Sequence, residues 1–310
     1  MRLLSRILFV VATLASTSVF ADPYKDIPKN IQIYIPYGPG GVADVQYRNL
    51  EQYLITKGIT LTAIYKAGGN STIAAAEFVN APKDGSVLML NSTSNSWLAE
   101  QRLGKSVIDP ITTTGGNANA IITYPGSKFE NFEDFVKYLK AGDPDIKIGW
   151  HAVANLLNVR QLADKVGGPT PLTVPYKTST DSSRDVAGKH LPIAIVPMTT
   201  AIPLLETGKV KIIFGFSAGT SGLPPGTFNI KTRYPNWRHD ELFFIGLPPG
   251  SDERAFKAWA TILKEYLSLK ETDEAYRRAY FGKDVGGPTH VNEVINRQGE
   301  ALKKYNVEIK

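Results

Sequence analysis

Residues Ile31–Asp44 read Ile-Gln-Ile-Tyr-Ile-Pro-Tyr-Gly-Pro-Gly-Gly-Val-Ala-Asp. An apolar strand runs into a Pro/Gly loop and then into the start of a helix. This junction points the chain toward an α/β architecture. It also aims free backbone N–H groups and the positive end of a helix dipole at one spot, which suits a carboxylate or a phosphate.

The rhythm continues. Val42–Thr56 carries Ala43, Tyr47, Leu50 and Leu54 at helical spacing and is closed by Gly58, and Ile59–Tyr65 is a strand. Ser71 or Thr72 caps a short helix through Val79. Asp84-Gly85 is a turn, Val87–Leu90 a strand and Ser94–Leu103 a helix. This order favours a parallel sheet. A second block starts near Tyr124. Its expected helices are Asn131–Lys140, Asn155–Val166, Thr178–Ala187 and Thr200–Thr207; its strands are Ile146–Gly149, Leu172–Val174, Pro192–Val196 and Lys211–Ser217. Gly219–Trp237, rich in Gly and Pro, is a connection. After a strand at Leu242–Leu247, helices at Asp252–Leu269, Thr272–Tyr280 and Thr289–Tyr305 close the chain. The expected fold is α/β and two-lobed, each lobe a sheet flanked by helices, with the ligand cleft between lobes at strand C-terminal ends.

The first 21 residues have the pattern of an export signal: Arg2 and Arg6, the apolar run Ile7–Leu14, and Val19-Phe20-Ala21 before a cleavage point after Ala21. The run is well short of the ~20 residues that a membrane span needs. A mature chain from Asp22 in the periplasm is expected, with no membrane insertion. The 310 residues hold no cysteine, so the core must suffice without disulfides. The net charge of +6 falls to +4 when Arg2 and Arg6 leave, and no run of five basic residues argues for nucleic acid.

Several motifs compete. Gly38-Pro39-Gly40-Gly41-Val42-Ala43 matches a dinucleotide fingerprint, but the second strand ends in Tyr65-Lys66 where an acidic residue is needed for the ribose. Gly215-Phe216-Ser217-Ala218-Gly219 matches a nucleophile elbow, yet Thr220–Gly226 cannot begin a helix promptly. His151, His190, His239 and His290 lack metal-ligand spacing, so no metal and no cofactor are expected. His151 differs in opening a loop after a strand. Asn91–Ser96 is a run of small polar residues at a strand end, fit to cap a helix, contact a solute or both.

Five segments in order carry a resemblance: IPYGPGGVAD (Ile35–Asp44), DGSVLMLNSTS (Asp84–Ser94), NFEDFVKYLKAGDPDIKIGW (Asn131–Trp150), TVPYKTSTDSSRDVAGKHLPIAIV (Thr173–Val196) and IPLLETGKVKIIFGFSAGTSGLPPG (Ile202–Gly226). Together they resemble the periplasmic solute receptors of tripartite tricarboxylate transporters, the Bug-type receptors, over nearly the whole mature chain. The resemblance implies a two-lobed periplasmic-binding-protein fold that captures a small carboxylate and docks on membrane permease subunits.

The family's first loop falls on Gly38, Pro39, Gly40, Gly41 and Asp44, with Gly38 in place of a proline and Tyr37 in place of a phenylalanine. Its Ser/Thr loop falls on Ser92, Thr93 and Ser94. Its second-lobe loop falls on Trp150–Asn155, where Trp150 and His151 replace small residues, and its Val-Pro-Tyr-Lys element on Val174–Lys177. An Asp-Ser pair becomes Met198-Thr199. The implied site is therefore Tyr37, Pro39, Gly40, Gly41 and Asp44 around the acid, with Asp44 tightening the loop. Ser92–Ser94 add hydroxyls, and Trp150, His151, Ala152, Tyr176 and Thr199 close from the other lobe. Trp150 and His151 favour an aromatic or planar dicarboxylate. The expected first lobe is 22–123 plus 241–310 and the second 124–240, with hinges near Ile122–Tyr124 and Asp240–Phe243. The protein is expected to be a monomeric, non-enzymatic receptor. Two readings stay open beside it: an exported hydrolase using Ser217, and a ligand sensor for a signalling partner.

Overall fold

The computed structural model describes residues 22–217, 222–237 and 241–307. The chain opens with β1 (Asn30–Ile35), α1 (Val42–Thr56), β2 (Thr60–Tyr65), α2 (Thr72–Phe78), β3 (Val87–Ser92) and α3 (Thr93–Leu103). Two strands then run almost end to end: β4 (Asp109–Asn117) and β5 (Asn119–Thr123). The second block is α4 (Phe132–Ala141), β6 (Ile148–Trp150), α5 (Val153–Val166), β7 (Thr173–Pro175), α6 (Ser179–Ala187), β8 (Ile193–Pro197), α7 (Met198–Glu206), β9 (Lys211–Phe216) and the single-turn α8 (Ile230–Arg233). The return comprises β10 (Phe243–Leu247), α9 (Glu253–Ser268), α10 (Lys270–Arg278), β11 (Phe281–Lys283) and α11 (Pro288–Lys304).

Two sheets result, of order β11-β4-β10-β3-β1-β2 and β7-β6-β8-β5-β9. Neither is the parallel sheet expected from the βα rhythm. β2, β1 and β3 are parallel, but β10 inserts antiparallel between β3 and β4. In the second sheet β5 runs antiparallel between β8 and β9. β10 and β5 thus run against their neighbours beside the points where the chain passes between the sheets, and the edge strand β11 is antiparallel to β4 as well.

The first crossing lies at Ala118. Its N–H donates to the Tyr280 carbonyl at 3.1 Å and its carbonyl accepts from the Met198 N–H at 2.8 Å, tying both sheets to one residue. Asn119–Thr123 pairs within the second sheet, so the chain changes sheets at residue 118, before the expected boundary after residue 123. The return crossing precedes β10. Of the expected hinge there, Asp240 lies outside the described residues, as does His239.

Side-chain alternation on the strands builds the cores. Ile31, Ile33 and Ile35 of β1 enter one core with Leu50 and Leu54 of α1, while Tyr34 enters the core on the opposite face. That second core also takes Val153, Leu156 and Leu157 from α5, against Val291, Ile295 and Leu302 of α11. Further along α5, Val159, Leu162 and Ala163 pack on their own sheet. So α5 belongs to both halves. Arg160 adds to the join, with Nη1 donating to the Tyr305 and Asn306 carbonyls at 2.9 and 2.8 Å, at the C-terminal end of α11.

Candidate ligand-binding site

A cavity of about 40 Å³ lies between the two sheets. One wall is the stretch from Tyr37 to Ala43, with Glu241 and Phe243 from the return crossing. The facing wall is His151, Ala152, Ala154 and Asn155, then Lys177–Thr180 and Pro197. Asn117 and Asn119 border it from either side of Ala118, with Asn117 Nδ2 donating to Asn119 Oδ1 at 2.9 Å.

Four helices begin at this cavity. Val42 and Ala43 open α1, Ala152 and Ala154 flank the start of α5, Ser179 and Thr180 open α6, and Pro197 precedes α7. The cap positions of α1, α5 and α7 are Gly41, Ala152 and Pro197, none of which makes a side-chain cap hydrogen bond. Each helix brings roughly half a positive charge to the cavity, although the Met198 N–H that opens α7 is taken by the Ala118 carbonyl at 2.8 Å and the Asn155 N–H in the first turn of α5 by the Ala152 carbonyl at 2.9 Å. Only α6 is capped from within, by Thr178 Oγ1 accepting from the Asp181 N–H at 3.1 Å. Lys177, an exposed residue, borders the same wall.

The loop before α1 is held by Asp44. One carboxylate oxygen accepts from the Gly40 N–H at 2.9 Å and from Arg48 Nε at 3.1 Å, and the other accepts from the Tyr65 hydroxyl. Burial opposes the charged form, but these bonds hold the Asp44 carboxyl below its usual range. Gly40 has φ +79°, which a side chain rarely adopts. Asp44 and Gly40 do not border the cavity; they shape the loop whose Tyr37, Pro39 and Gly41 do. At Gly38 an added Cβ would stand 2.8 Å from the Thr178 methyl, so the two walls touch there.

Of the other expected site residues, His151 and Ala152 border the cavity. Burial pushes the half-buried His151 imidazole down to about 4, so it is neutral at physiological pH, and its Nδ1 has no partner. Trp150 does not border the cavity; its ring is partly buried between the α5/α11 core and the core of the second sheet, and it offers the ligand no stacking face. Tyr176 donates to Asp185 at 2.7 Å, and the half-buried Thr199 hydroxyl has no partner; neither borders the cavity.

Ser92, Thr93 and Ser94 also stand one layer behind. The Tyr37 hydroxyl donates to Ser92 Oγ at 2.7 Å and accepts from Asn95 Nδ2 at 3.2 Å. Its ring lines the cavity, 5.6 Å from Phe243. Thr93 exchanges hydrogen bonds with Leu242, and Ser94 Oγ donates to Glu241 Oε1 at 2.7 Å.

Sequence reasoning missed Glu241, Asn117, Asn119 and the Lys177–Thr180 turn. The turn follows β7 at a strand C-terminus and was open to the rule applied to Trp150–Asn155. Asn119 and Glu241 were hidden because they begin or precede antiparallel strands, whose N-terminal ends lie at the same sheet edge as the C-terminal ends of their parallel neighbours. Ser217, at 6% exposure, accepts from Asn229 Nδ2 at 3.1 Å, and His290 pairs with Asp284 at 2.8 Å. Residues 218–221 of the suspected elbow lie outside the described residues. Among the described residues no cluster of three His, Asp or Glu could hold a metal, and no helix is long and apolar enough to cross a membrane.

No protein-family model matches the chain. It is 23% identical over 288 residues to Protein BugT of Bordetella pertussis, covering 88% of each protein. Among solved structures, the periplasmic binding protein BugD superposes with a TM-score of 0.78 at 20% identity, covering 91% of this chain and 99% of that one. The chain is similar in sequence and in fold to the Bug-type proteins. R. palustris Rpa4515 with adipate superposes with a TM-score of 0.79 at 19% identity, over 89% of this chain and 97% of that one. The Bug-type likeness spans both sheets, so the two-lobed periplasmic-binding-protein fold expected from the sequence is the fold observed.

Proposed function

We propose that the chain is an extracytoplasmic solute receptor that captures a small carboxylate between two lobes and delivers it to the membrane permease of a tripartite tricarboxylate-type transporter. The observation that carries this reading is the meeting of four helix N-termini, three without a side-chain cap, at one cavity that Lys177 also borders. Such an array holds an anion by dipoles and N–H groups and leaves it chemically unchanged. The neutral His151 supplies a donor or acceptor without a charge. The relatives are named as Bug proteins, and Rpa4515 is a structure with a dicarboxylate, which supports a carboxylate as cargo.

In this reading Met1–Ala21 is removed on export, the mature monomer starts at Asp22, and the lobes close about the crossings at Ala118 and before β10. The protein binds without turnover. Thermal unfolding of the mature chain against mono-, di- and tricarboxylic, amino and aromatic acids tests it. A ligand at a hundred times its dissociation constant adds about 2.7 kcal/mol. A shift with one acid class and no product formed supports the reading. A flat response to every acid, or hydrolysis that Ser217→Ala abolishes, overturns it. Ser217→Ala is expected to leave binding unchanged.

A further inference from the structure

Glu241 is a buried carboxyl in the wall of a site built for an anion. It is 4% exposed, borders the cavity and stands just before β10. Its Oε1 accepts from the Ser94 hydroxyl at 2.7 Å, and its Oε2 is buried with no partner. The loop before α1 turns the Tyr37 phenol toward it, and the junction of β3 and α3 brings Ser92 and Ser94. Across the cavity stand His151 before α5 and Lys177 before α6. Arg238, His239 and Asp240 precede it and lie outside the described residues. Among the described residues no cation pairs with Glu241: Lys177 is exposed, and burial leaves His151 neutral. A charged carboxylate in this setting has neither water nor a counter-ion, so its neutral form is favoured. A ligand carboxylate in the cavity pushes the same way, because like charges oppose each other across a dry space. That push acts through the field and requires no contact between ligand and Oε2.

We propose that capture of the anion is coupled to a proton: the chain takes up one hydrogen ion on Glu241 as the carboxylate enters the cavity, and gives it back when the carboxylate leaves. This rests on the receptor reading above. The charge balances, since the ligand brings one negative charge to the site while a solvent proton removes one from Glu241. Burial holds the empty site's Glu241 carboxyl up at about 7, opposed by the bonds from Ser92 and Ser94. The coupling therefore operates from about pH 7 upward, and below that the group already carries its proton. His151 and Tyr37 keep one protonation state through this window, since burial moves the first down to about 4 and the second well above the usual phenol range.

The test is calorimetric titration of the mature chain with acetate, succinate and benzoate, and with any acid that shifts thermal unfolding, in phosphate and in Tris. The two buffers differ in ionisation enthalpy, so the difference in observed heat counts the protons taken up. At about pH 7.5 an uptake of roughly half to one proton per bound ligand is expected. Only the protonated fraction accepts the anion, so affinity falls by about tenfold from about pH 6.5 to about pH 8. Glu241→Gln, neutral at every pH, is expected to bind with no proton uptake and a level affinity. The buffer comparison on the unaltered chain stands even if that variant fails to fold. Binding without proton uptake, or affinity that is level or rises over this window, overturns the coupling and leaves the receptor reading intact. Uptake that persists in Glu241→Gln puts the proton on another group and overturns the assignment. Failure of every acid to bind overturns both readings.

Discussion

Gly38 shows how one missing side chain sets the closed geometry. A Cβ there would meet the Thr178 methyl from the facing wall at 2.8 Å, a distance that requires something to move. Gly38→Ala is therefore expected to hold the walls apart and weaken carboxylate binding by about tenfold, the scale of an overpacking cost of 1–3 kcal/mol. Thr178→Ser in the same chain removes the methyl, keeps the hydroxyl that caps α6, and should restore the affinity measured by calorimetry. A double variant no tighter than Gly38→Ala alone would show that the contact is not what limits closure. The Gly-for-Pro exchange is visible in the sequence; the contact with Thr178 is not, because it joins residues 140 positions apart.

His151 carries a pH effect of definite sign. Its pKa in the folded chain is pushed by burial to about 4, below the ordinary imidazole range. The unfolded chain therefore binds the extra proton first. Stability from this group is complete above pH 6.5 and is lost as pH falls toward 4, by on the order of 1–2 kcal/mol for a half-buried ring. His151→Asn should flatten that limb of a stability–pH curve from chemical denaturation. An unchanged acid limb would mean that the ring is solvated.

At the scale of elements, α1 and α5 do different work. The start of α1 is fixed by Asp44, buried at 4% exposure with three bonds converging on it. Asp44→Ala would leave the Gly40 N–H and the Tyr65 hydroxyl unpartnered. It is expected to cost roughly 1–3 kcal/mol of stability, and to weaken ligand binding more than Tyr65→Phe does, since the loop would lose its fastening. This element was legible in advance almost to the residue: Val42–Thr56 is both the expected and the observed helix. The apolar spacing is local and Gly41 leaves the N-terminus open.

The other helix, α5, packs beyond its own sheet. Its first turns in fact bury Leu156 and Leu157 in the core shared with α11. Leu157→Ala should destabilise by roughly 2–4 kcal/mol. It should also loosen the hold between the halves, read as faster amide exchange in α11 as well as in α5. Protection lost in α5 alone would argue against a shared core. The strands β4 and β11 were absent from the sequence reading altogether. β4 is Asp-Pro-Ile-Thr-Thr-Thr-Gly-Gly-Asn, with little apolar alternation, and Gly115 takes φ +144° because the Gly282 carbonyl would lie 2.1 Å from a Cβ. Such a strand exists because partners on both sides complete its hydrogen bonds, which no local pattern records.

For the whole molecule, the prediction concerns shape. With the cavity walls meeting at Gly38 and Thr178 and with α5 sharing a core with α11, the structure describes a closed arrangement. Small-angle scattering is expected to give a larger radius of gyration for the ligand-free chain than for the chain saturated with its carboxylate, as the halves turn about Ala118 and the return crossing. Identical scattering curves would mean that capture proceeds without closure.

The sequence by itself determined what local physics governs: the α/β class, the helix faces, the glycine loop before α1, and the order of elements that resembles the Bug-type receptors. Tertiary structure alone decided which residues meet. It put Ser92–Ser94 behind the wall instead of in it, took Trp150 into packing, and brought Glu241 and Lys177 to the cavity from opposite halves. The reason is the reversed strands. β5 and β10 run against their neighbours, so residues at their beginnings arrive at the edge where the parallel strands end, and direction within a sheet is a property of the assembled pairing, which single segments do not carry.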